Sequence, residues 1–311
     1  MSATEPAEPH ARTDDALYGY IPSKAATIIF VSLFLVSTVI HCVQAIKYRK
    51  WYLIYTAGVC GMLEFAGWIG RLWSAFSPQS MTAYKLQATC LVFAPTPLLA
   101  ATFVIFGQII KRLGPSFSRL QPKRCKYQFE LFLLEIHIFL KIQLCFDVLA
   151  LVVQGGGGGI AASATDNPSQ IDLGSRIMLV GIVVQLVVII GFSVLAAEFL
   201  IRFYKNMPFQ GRSDESMRKL LNTEVKSRMT PNIKLILYGV LLSTVFFLVR
   251  SIYRVIELSE GWEGPVMRTQ MYFNIMDGLM IVLAMYTVNV FHPGRYLATD
   301  SKDTELQNIG D

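Results

Sequence analysis

Residues 25–46 read AATIIFVSLFLVSTVIHCVQAI, an apolar run that contains no Asp, Glu, Lys or Arg. A helix needs about 20 predominantly apolar residues to cross the hydrocarbon core of a bilayer. Because this run reaches that length without a charge, it predicts a membrane-spanning helix. Residues 1–20 lack the basic and apolar regions of a cleavable signal peptide, so we expect the first helix to direct insertion itself.

Apolar runs of similar length recur along the rest of the chain. Of its 311 residues, 53% are hydrophobic and only 16% are charged, which is typical of integral membrane proteins. We predict an all-α polytopic membrane protein with a polar tail at residues 1–20, one membrane domain at residues 21–296 and a second tail at residues 297–311. The seven predicted spans are residues 25–46, 52–75, 86–110, 141–162, 176–201, 233–255 and 270–291.

The fourth span has two possible registers. A window that starts near Phe129 places Lys141 at mid-membrane, whereas a window that starts at Lys141 leaves this lysine at the cytosolic surface. We favour the second register, because a lysine at the centre of a span is costly. Residues 129–140, which read FELFLLEIHIFL, are then an apolar stretch that is too short to span and lies at the interface or against the bundle.

Lys and Arg are concentrated in alternate connections. They lie after the first, third and fifth spans and in the carboxyl tail, whereas the other connections and the amino tail are nearly free of them. Cytosolic loops carry the excess of Lys and Arg, so we predict an amino end outside and a carboxyl end in the cytosol. The formal net charge of +6 lies in short loops beside apolar spans, which indicates anionic lipid as a partner and not nucleic acid.

Ionisable residues interrupt the second predicted span. The stretch EFAGWIGRL, residues 64–72, places Glu64 and Arg71 inside it. A charged residue at the centre of a spanning helix costs roughly 2.5–3.5 kcal/mol on insertion scales. Residues seven positions apart share a helix face but are separated by about 10 Å along the axis. We therefore expect Glu64 and Arg71 to find their partners on other helices.

The sixth and seventh spans supply candidate partners. Arg250, Arg254 and Glu257 fall at positions i, i+4 and i+7 on one helix face, and Asp277 lies near the middle of the seventh span. Charges of both signs at overlapping depths on three helices predict a shared polar interior. In this hypothesis the interior accepts the head group of an amphipathic molecule, for example an amino alcohol that faces Glu64 and Asp277.

Two prolines interrupt the third predicted span. Pro95 and Pro97 remove backbone N–H donors, so we expect the helix to kink at this point. The carbonyls that lose their partners must then bond to neighbouring groups, water or a ligand, because hydrocarbon offers none. The kink has either a mechanical or an architectural role.

The chain shows no catalytic, metal or nucleotide motif. Its four histidines, His10, His41, His137 and His292, include no pair at the i, i+4 spacing of a helical zinc site. The glycine run at residues 155–159 is followed by IAASA, whereas a phosphate-binding loop needs a following Lys and Ser or Thr. We predict that the protein is not an enzyme and binds no cofactor or metal.

Several short motifs follow one another in order along nearly the whole chain. They are YGYIPS before the first span, Glu-x-x-Gly-aromatic-x-x-Arg at residues 64–71, FAPTPLLAA on the third span, RSIYRVIE on the sixth and FHPG after the seventh. On these motifs the chain resembles the RTA1-like family of fungal seven-helix membrane proteins, which is associated with lipid translocation and resistance to toxic compounds. Relative to that family, residues 129–140 look like an addition.

The resemblance implies a function and a set of site residues. It implies translocation or export of an amphipathic lipid, such as a sphingoid long-chain base, or of a lipid-like toxic compound, at the fungal plasma membrane. The alternative function is a seven-helix sensor of lipids or toxic compounds. The predicted substrate-binding residues are Glu64, Trp68, Arg71, Arg250, Arg254 and Asp277, with Asp147, Gln154, Gln185 and Glu257 as secondary candidates.

The same residues have a structural alternative. In it Arg71, Arg250 and Arg254 extend to the outer lipid head groups, and Glu64 is protonated and packed. For Asp147 and Gln154 the alternative is a structural hydrogen bond between helices. The two hypotheses differ in whether the charges meet inside the bundle.

Overall fold

The regular structure of the protein is helical. The computed structural model describes residues 19–113, 145–146, 148–160, 163, 168–204, 230–261 and 264–296. Within them every regular element is a helix, which confirms the predicted all-α class. Asp147, the stretch at residues 129–140 and the two ends of the chain lie outside the described residues.

Eight helices follow one another in the described part of the chain. A π-helical turn, Ile54–Gly58, directly precedes the second helix, α2. The last helix, α8, consists of Gln270–Tyr272, a π-helix Phe273–Leu279 and Met280–Val290. The other bounds are α1 Lys24–Lys47, α2 Val59–Phe76, α3 Met81–Phe93, α4 Pro95–Leu113, α5 Val148–Ile160, α6 Pro168–Tyr204 and α7 Pro231–Ser259.

Five helical segments of the described residues are long and apolar enough to cross a membrane. They coincide in position with the first, third, fifth, sixth and seventh predicted spans, and they are Lys24–Lys47, Met81–Ile110, Ser169–Glu198, Pro231–Ser259 and Gln270–Tyr296. Helix α5 is apolar but shorter. Helix α2, which carries Glu64 and Arg71 in an otherwise apolar sequence, is not among the five.

The third predicted span is divided in two. Ala94 separates α3 from α4, and its N–H still donates to the carbonyl of Cys90 at 3.0 Å. Pro95 has no N–H, so the carbonyl of Leu91, four residues earlier, loses its helical partner. Arg250 of α7 donates to this carbonyl at 2.8 Å. The expected release of a carbonyl to a neighbouring group is therefore observed at Leu91.

Glycines bring α5 and α6 into close contact. A Cβ atom at Gly157 would lie 2.6 Å from the carbonyl oxygen of Gly174, and one at Gly181 would lie 2.8 Å from that of Ala150. Small residues permit such backbone approach between helices in membranes. Part of the run at residues 155–159 therefore serves helix packing.

An aromatic cluster joins α1, α2 and α8. The indole of Trp68 stacks on Phe30 with ring centroids 4.1 Å apart, and it also contacts Phe34 and Phe273. Trp68 is fully buried. Its position fixes the face of α2 that carries Glu64 and Arg71, so these two side chains point into the bundle.

We predict opposite effects for two alanine substitutions on α6. Gly181→Ala forces α5 and α6 apart and lowers the free energy of unfolding by about 1–3 kcal/mol. Gly191, where a Cβ would meet nothing within 4 Å, is the matched control. There alanine stabilises the helix by about 0.5–1 kcal/mol. Thermal unfolding of the purified protein in detergent measures both, and equal shifts of the two midpoints would contradict the close packing.

Candidate functional site

The charges of α7 and α8 form one ion-pair cluster around Asp277. Arg254 holds this carboxylate with two hydrogen bonds, from Nε to Oδ1 and from Nη2 to Oδ2, both 2.7 Å long. Arg250 Nε lies 2.9 Å from Oδ1, although its N–H is not aligned for a hydrogen bond. Asp277 itself lies in the π-helical segment of α8 and is 2% exposed.

Glu257 closes the other side of the cluster. Its Oε2 accepts a hydrogen bond from Arg254 Nη1 at 2.9 Å, and its Oε1 accepts one from the hydroxyl of Tyr253 at 2.8 Å. Asp277, Arg250, Arg254 and Glu257 are called the Asp277 cluster below. Because both carboxylates use both oxygens, the cluster is internally paired.

The cluster also binds the third helix. Arg250 Nη2 donates a hydrogen bond to the Leu91 carbonyl, which has no helical partner because residue 95 is a proline. A buried carbonyl without a donor is unfavourable, and a hydrogen bond from a charged donor is stronger than one from a neutral donor. This contact ties α3 to α7 at the level of the charges.

Glu64 lies beside the Asp277 cluster but is not part of it. Its side chain is 2% exposed, and it forms no ion pair with the described residues. The indole N–H of Trp68, one turn along α2, lies near the Glu64 carboxyl group but is not aligned for a geometrically good hydrogen bond. The charges that act on the Glu64 carboxylate are those of Arg250, Asp277 and Arg254. Glu64 is therefore a buried acidic group beside two arginines that already have partners.

The formal charge of this region follows from its members. Glu64 and the Asp277 cluster together contain three carboxylates and two guanidiniums, so the sum is −3 + 2, or −1, when all are ionised. An unpaired charge inside a protein is costly unless an opposite charge or a proton neutralises it. The Glu64 carboxylate is thus neutralised either by a proton or by an opposite charge beside it.

Arg71 has a separate set of contacts. Its Nη2 donates to the hydroxyl of Tyr20 at 2.6 Å, and its Nη1 donates to Gln87 Oε1 at 3.4 Å. Its guanidinium lies 4.2 Å from the centroid of the Phe273 ring, and that of Arg254 lies 5.4 Å from the same centroid. Phe273 thus links the two cations, in the geometry of a cation–π contact.

The contacts of the three arginines can be compared with the structural alternative, in which their side chains extend to the outer lipid head groups. Arg71 is fully buried, and Arg250 and Arg254 form their ion pairs inside the helix bundle. An arginine that extends to lipid head groups would carry its guanidinium toward the surface. Arg250 and Arg254 therefore pair with carboxylates inside the bundle, whereas Arg71 is buried beside Tyr20 and Gln87.

The secondary candidates divide into two groups. Glu257 belongs to the Asp277 cluster, and Asp147 lies outside the described residues. Gln154 of α5 donates to Gln185 of α6 at 3.5 Å, and Gln185 donates to the hydroxyl of Thr96 on α4 at 3.2 Å. This chain of amides joins three helices, which is the structural hydrogen bond given as the alternative for Gln154.

The sequence did not indicate several residues that complete the site. Tyr253, Tyr20, Gln87 and Phe273 all contact its charged side chains. Tyr253 lies four residues before Glu257, a helical spacing that could have indicated the contact. Tyr20 lies in the YGYIPS motif, although the motif alone does not place it beside Arg71, and no local pattern indicates Gln87 or Phe273. Among the described residues no group of three or more His, Cys, Asp or Glu is placed to hold a metal ion.

The chain is similar to known membrane transport proteins. It matches the family model described as RTA1 like protein over residues 57–300. It is 30% identical to the sphingoid long-chain base transporter RSB1 of Saccharomyces cerevisiae, over 91% of this chain and 75% of that protein. It is 26% identical to protoporphyrin uptake protein 1 of the same yeast, over 88% of this chain and 91% of that protein.

A third relative comes from another fungus. The chain is 24% identical to the lipid-translocating exporter-like protein RTA1 of Leptosphaeria maculans, over 95% of this chain and 56% of that protein. No solved structure matches the chain. The relatives thus include a named lipid-base transporter, a named porphyrin uptake protein and a named lipid exporter-like protein.

We predict that the Asp277 cluster is required for stability. Asp277→Asn keeps the shape of the side chain but leaves the buried guanidinium of Arg250 without a carboxylate and that of Arg254 with Glu257 alone, which costs about 3–5 kcal/mol. The control is Asp172→Asn, which breaks an exposed ion pair with Arg176 of 2.9 Å and costs less than about 1 kcal/mol. The measurement is thermal unfolding of the purified proteins. Similar midpoints for both variants would show that the cluster does not hold α7 to α8.

Proposed function

The chain belongs to the RTA1-like family, and we propose that it translocates or exports an amphipathic lipid, such as a sphingoid long-chain base, or a lipid-like toxic compound. One observation supports the chemistry of the substrate. Glu64 is a buried carboxylate without an ion pair, next to a cluster whose own charges are paired. A cationic head group supplies the opposite charge that Glu64 lacks.

The ion pairs of the Asp277 cluster leave few of the buried carboxylates available to bind a ligand. Asp277 and Glu257 are engaged by arginines and a tyrosine, so a ligand that bound them would first have to displace these partners. Glu64 requires no such displacement. Of the two carboxylates expected to face an amino-alcohol head group, Glu64 is therefore the one that we assign to the ammonium.

The surroundings of Glu64 suit a molecule that enters from the bilayer. Helix α2, which carries Glu64, packs against α3, and Cys90 of α3 is partly exposed. In this proposal the head group reaches Glu64 along the α2–α3 contact. An amphiphile could place its head group at Glu64 and keep its hydrocarbon chain in the membrane, without crossing a polar vestibule.

The relatives support a lipid-like substrate and not a catalytic function. One is named a sphingoid long-chain base transporter and one a lipid-translocating exporter-like protein. A sphingoid base carries one amine and a long hydrocarbon chain, which fits a single unpaired carboxylate at the edge of an apolar bundle. The proposal includes a fungal plasma-membrane location, resistance to toxic amphiphiles as the cellular consequence, and no bound cofactor or enzymatic activity.

Seven spans and an external amino end complete the proposal. Five segments have the length and composition of spans. We add α2 because it packs between α1 and α3, and α5 because glycines pack it closely on α6. The orientation follows from the Lys and Arg in the connections.

We predict that Glu64→Gln removes transport of cationic amphiphiles without unfolding the protein. The amide keeps the shape and loses the charge, and no ion pair is broken. In vesicles with purified protein, leaflet-resolved transport of a fluorescent sphingoid base is expected to fall at least tenfold, a change that corresponds to about 1.4 kcal/mol. Transport of its neutral N-acyl analogue serves as the internal comparison and is expected to change little.

The matched control is Glu260→Gln, the same chemical change at an exposed position that follows α7. It is expected to leave transport and the unfolding midpoint unchanged. If Glu64→Gln transports the base as fast as the unchanged protein does, Glu64 is not the head-group site. If protein-free vesicles move the base equally fast, the exporter proposal itself fails, and a ligand-dependent conformational change without transport would favour the sensor.

The topology gives a separate prediction. A tag placed before residue 19 is expected to be labelled on intact cells, whereas a tag in the basic connection at residues 205–229 is expected to react only after the membrane is permeabilised. The excess of Lys and Arg in that connection is the physical reason. Labelling in the opposite order would overturn the proposed orientation.

A further inference from the structure

A second group of buried polar side chains lies between the carboxyl-terminal ends of α1 and α8. Ser37, His41 and Gln44 fall at i, i+4 and i+7 on α1, and they face Asn289 and His292. Asn289 is twelve residues beyond Asp277 on the same helix, about 18 Å along its axis. This group, called the His41 cluster, is therefore distinct from the Asp277 cluster.

Hydrogen bonds already join the two helices at this level. Asn289 Nδ2 donates to the hydroxyl of Ser37 at 2.8 Å, and Gln44 Nε2 donates to the carbonyl of Asn289 at 3.1 Å. The rings of His41 and His292 are close enough to interact electrostatically. The ring of Tyr48 covers His292 with centroids 5.1 Å apart.

The existing contacts decide which nitrogen of each histidine carries a hydrogen. His41 Nε2 lies 3.2 Å from the carbonyl of Met285, and a carbonyl only accepts, so Nε2 is the donor and Nδ1 of the neutral ring is an acceptor. His292 Nδ1 accepts the backbone N–H of Gly294 at 3.1 Å. The hydrogen of the neutral His292 ring therefore lies on Nε2.

Four atoms of the cluster have no hydrogen-bond partner. They are one donor, His292 Nε2, and three acceptors, His41 Nδ1, Gln44 Oε1 and Asn289 Oδ1. His41 and His292 are each 1% exposed, so bulk solvent does not reach these atoms. Buried polar groups are almost always satisfied by protein or by ordered water. Partners that satisfy both kinds of atom must themselves donate and accept.

We propose that the His41 cluster is a binding site for water, with one or two molecules that join His292 to His41 and to the amides of Gln44 and Asn289. A buried water makes about three hydrogen bonds. One water molecule can accept a hydrogen bond from His292 Nε2 and donate two hydrogen bonds to two of the three acceptors. Its hydrogen-bonding capacity therefore suits these atoms. A second molecule satisfies the remaining acceptor.

The same assignment excludes a transition metal at this site. A metal ion binds the lone pair of an imidazole nitrogen. His292 Nε2 carries a hydrogen, because its Nδ1 is used by the backbone of Gly294. Only one ring nitrogen, His41 Nδ1, offers a lone pair, and one imidazole with two amide oxygens is a poor set for zinc or copper.

The test measures water contact at the histidine rings in the full-length protein in lipid bilayers. Solid-state NMR with ¹⁵N-labelled histidine detects magnetisation transfer from water to each ring nitrogen. Among the four histidines in the chain, His41 and His292 are both expected to show transfer and to carry hydrogen on Nε2 at neutral pH. The variants His41→Gln and His292→Gln assign the signals.

Two substitutions at one position separate loss of water from loss of fold. His41→Gln retains an amide donor for Met285 and removes the Nδ1 acceptor, whereas His41→Leu removes both. Transfer to His292 Nε2 is expected to fall several-fold in His41→Leu and less in His41→Gln, whose amide oxygen can still bind water. In protein that also carries ¹⁵N-labelled arginine, an unchanged guanidinium spectrum shows that the contacts of Arg254 with Asp277 remain and that the bundle is folded.

Two results would overturn the proposal. If neither ring receives magnetisation from water in the unchanged protein, the site is dry. If added Zn²⁺ shifts the ring nitrogens of both His41 and His292, the site binds a metal and the hydrogen assignment is wrong. This inference does not depend on the proposed transport function, because a protein that moves no lipid gives the same NMR result.

Discussion

The pairing of Asp277 with two arginines is the contact on which the arrangement of the bundle depends. Inside a bilayer, a charge that is not paired within the protein is costly, so these three residues restrict how α7 and α8 can pack. Arg254 grips both carboxylate oxygens at 2.7 Å, and Arg250 reaches the same carboxylate from one turn earlier. Rotation or sliding of either helix would break three charge contacts at once. Asp277 lies in a π-helical segment of α8, and such segments often occur at functional positions.

The proline of the third span and the arginine of the sixth are two parts of one feature. Pro95 removes the donor for the Leu91 carbonyl, and Arg250 replaces it from another helix at 2.8 Å. The guanidinium can do this because it has several N–H groups and needs only part of them for Asp277. The break between α3 and α4 thus has a fixed position and a fixed neighbour. The carbonyl that Pro95 releases therefore has a structural partner at this site.

The sequence predicted the helices well and the individual contacts less well. Hydropathy located five spans, because apolar length is a property of one segment alone. The i, i+4 and i+7 spacing placed Arg250, Arg254 and Glu257 on one face, and the structure joins them in one network. The choice between Glu64 and Asp277 as the arginine partner could not be predicted, because it depends on the rotation of three helices relative to one another. The contact of Arg71 with Tyr20 likewise joins residues far apart in the chain.

The paired charges of the Asp277 cluster and the unpaired Glu64 have different roles in the proposed mechanism. A fully paired cluster is rigid, and it keeps its members from binding other groups. If the carboxylates of the cluster were the binding groups, each ligand that bound would first have to displace the arginines that pair with them. A single carboxylate at its edge avoids this difficulty. Glu64 lies in the field of Arg250, Asp277 and Arg254 but forms no ion pair with them. In the proposed mechanism a cation at Glu64 would therefore bind and leave while the contacts that hold α3, α7 and α8 together remain unbroken.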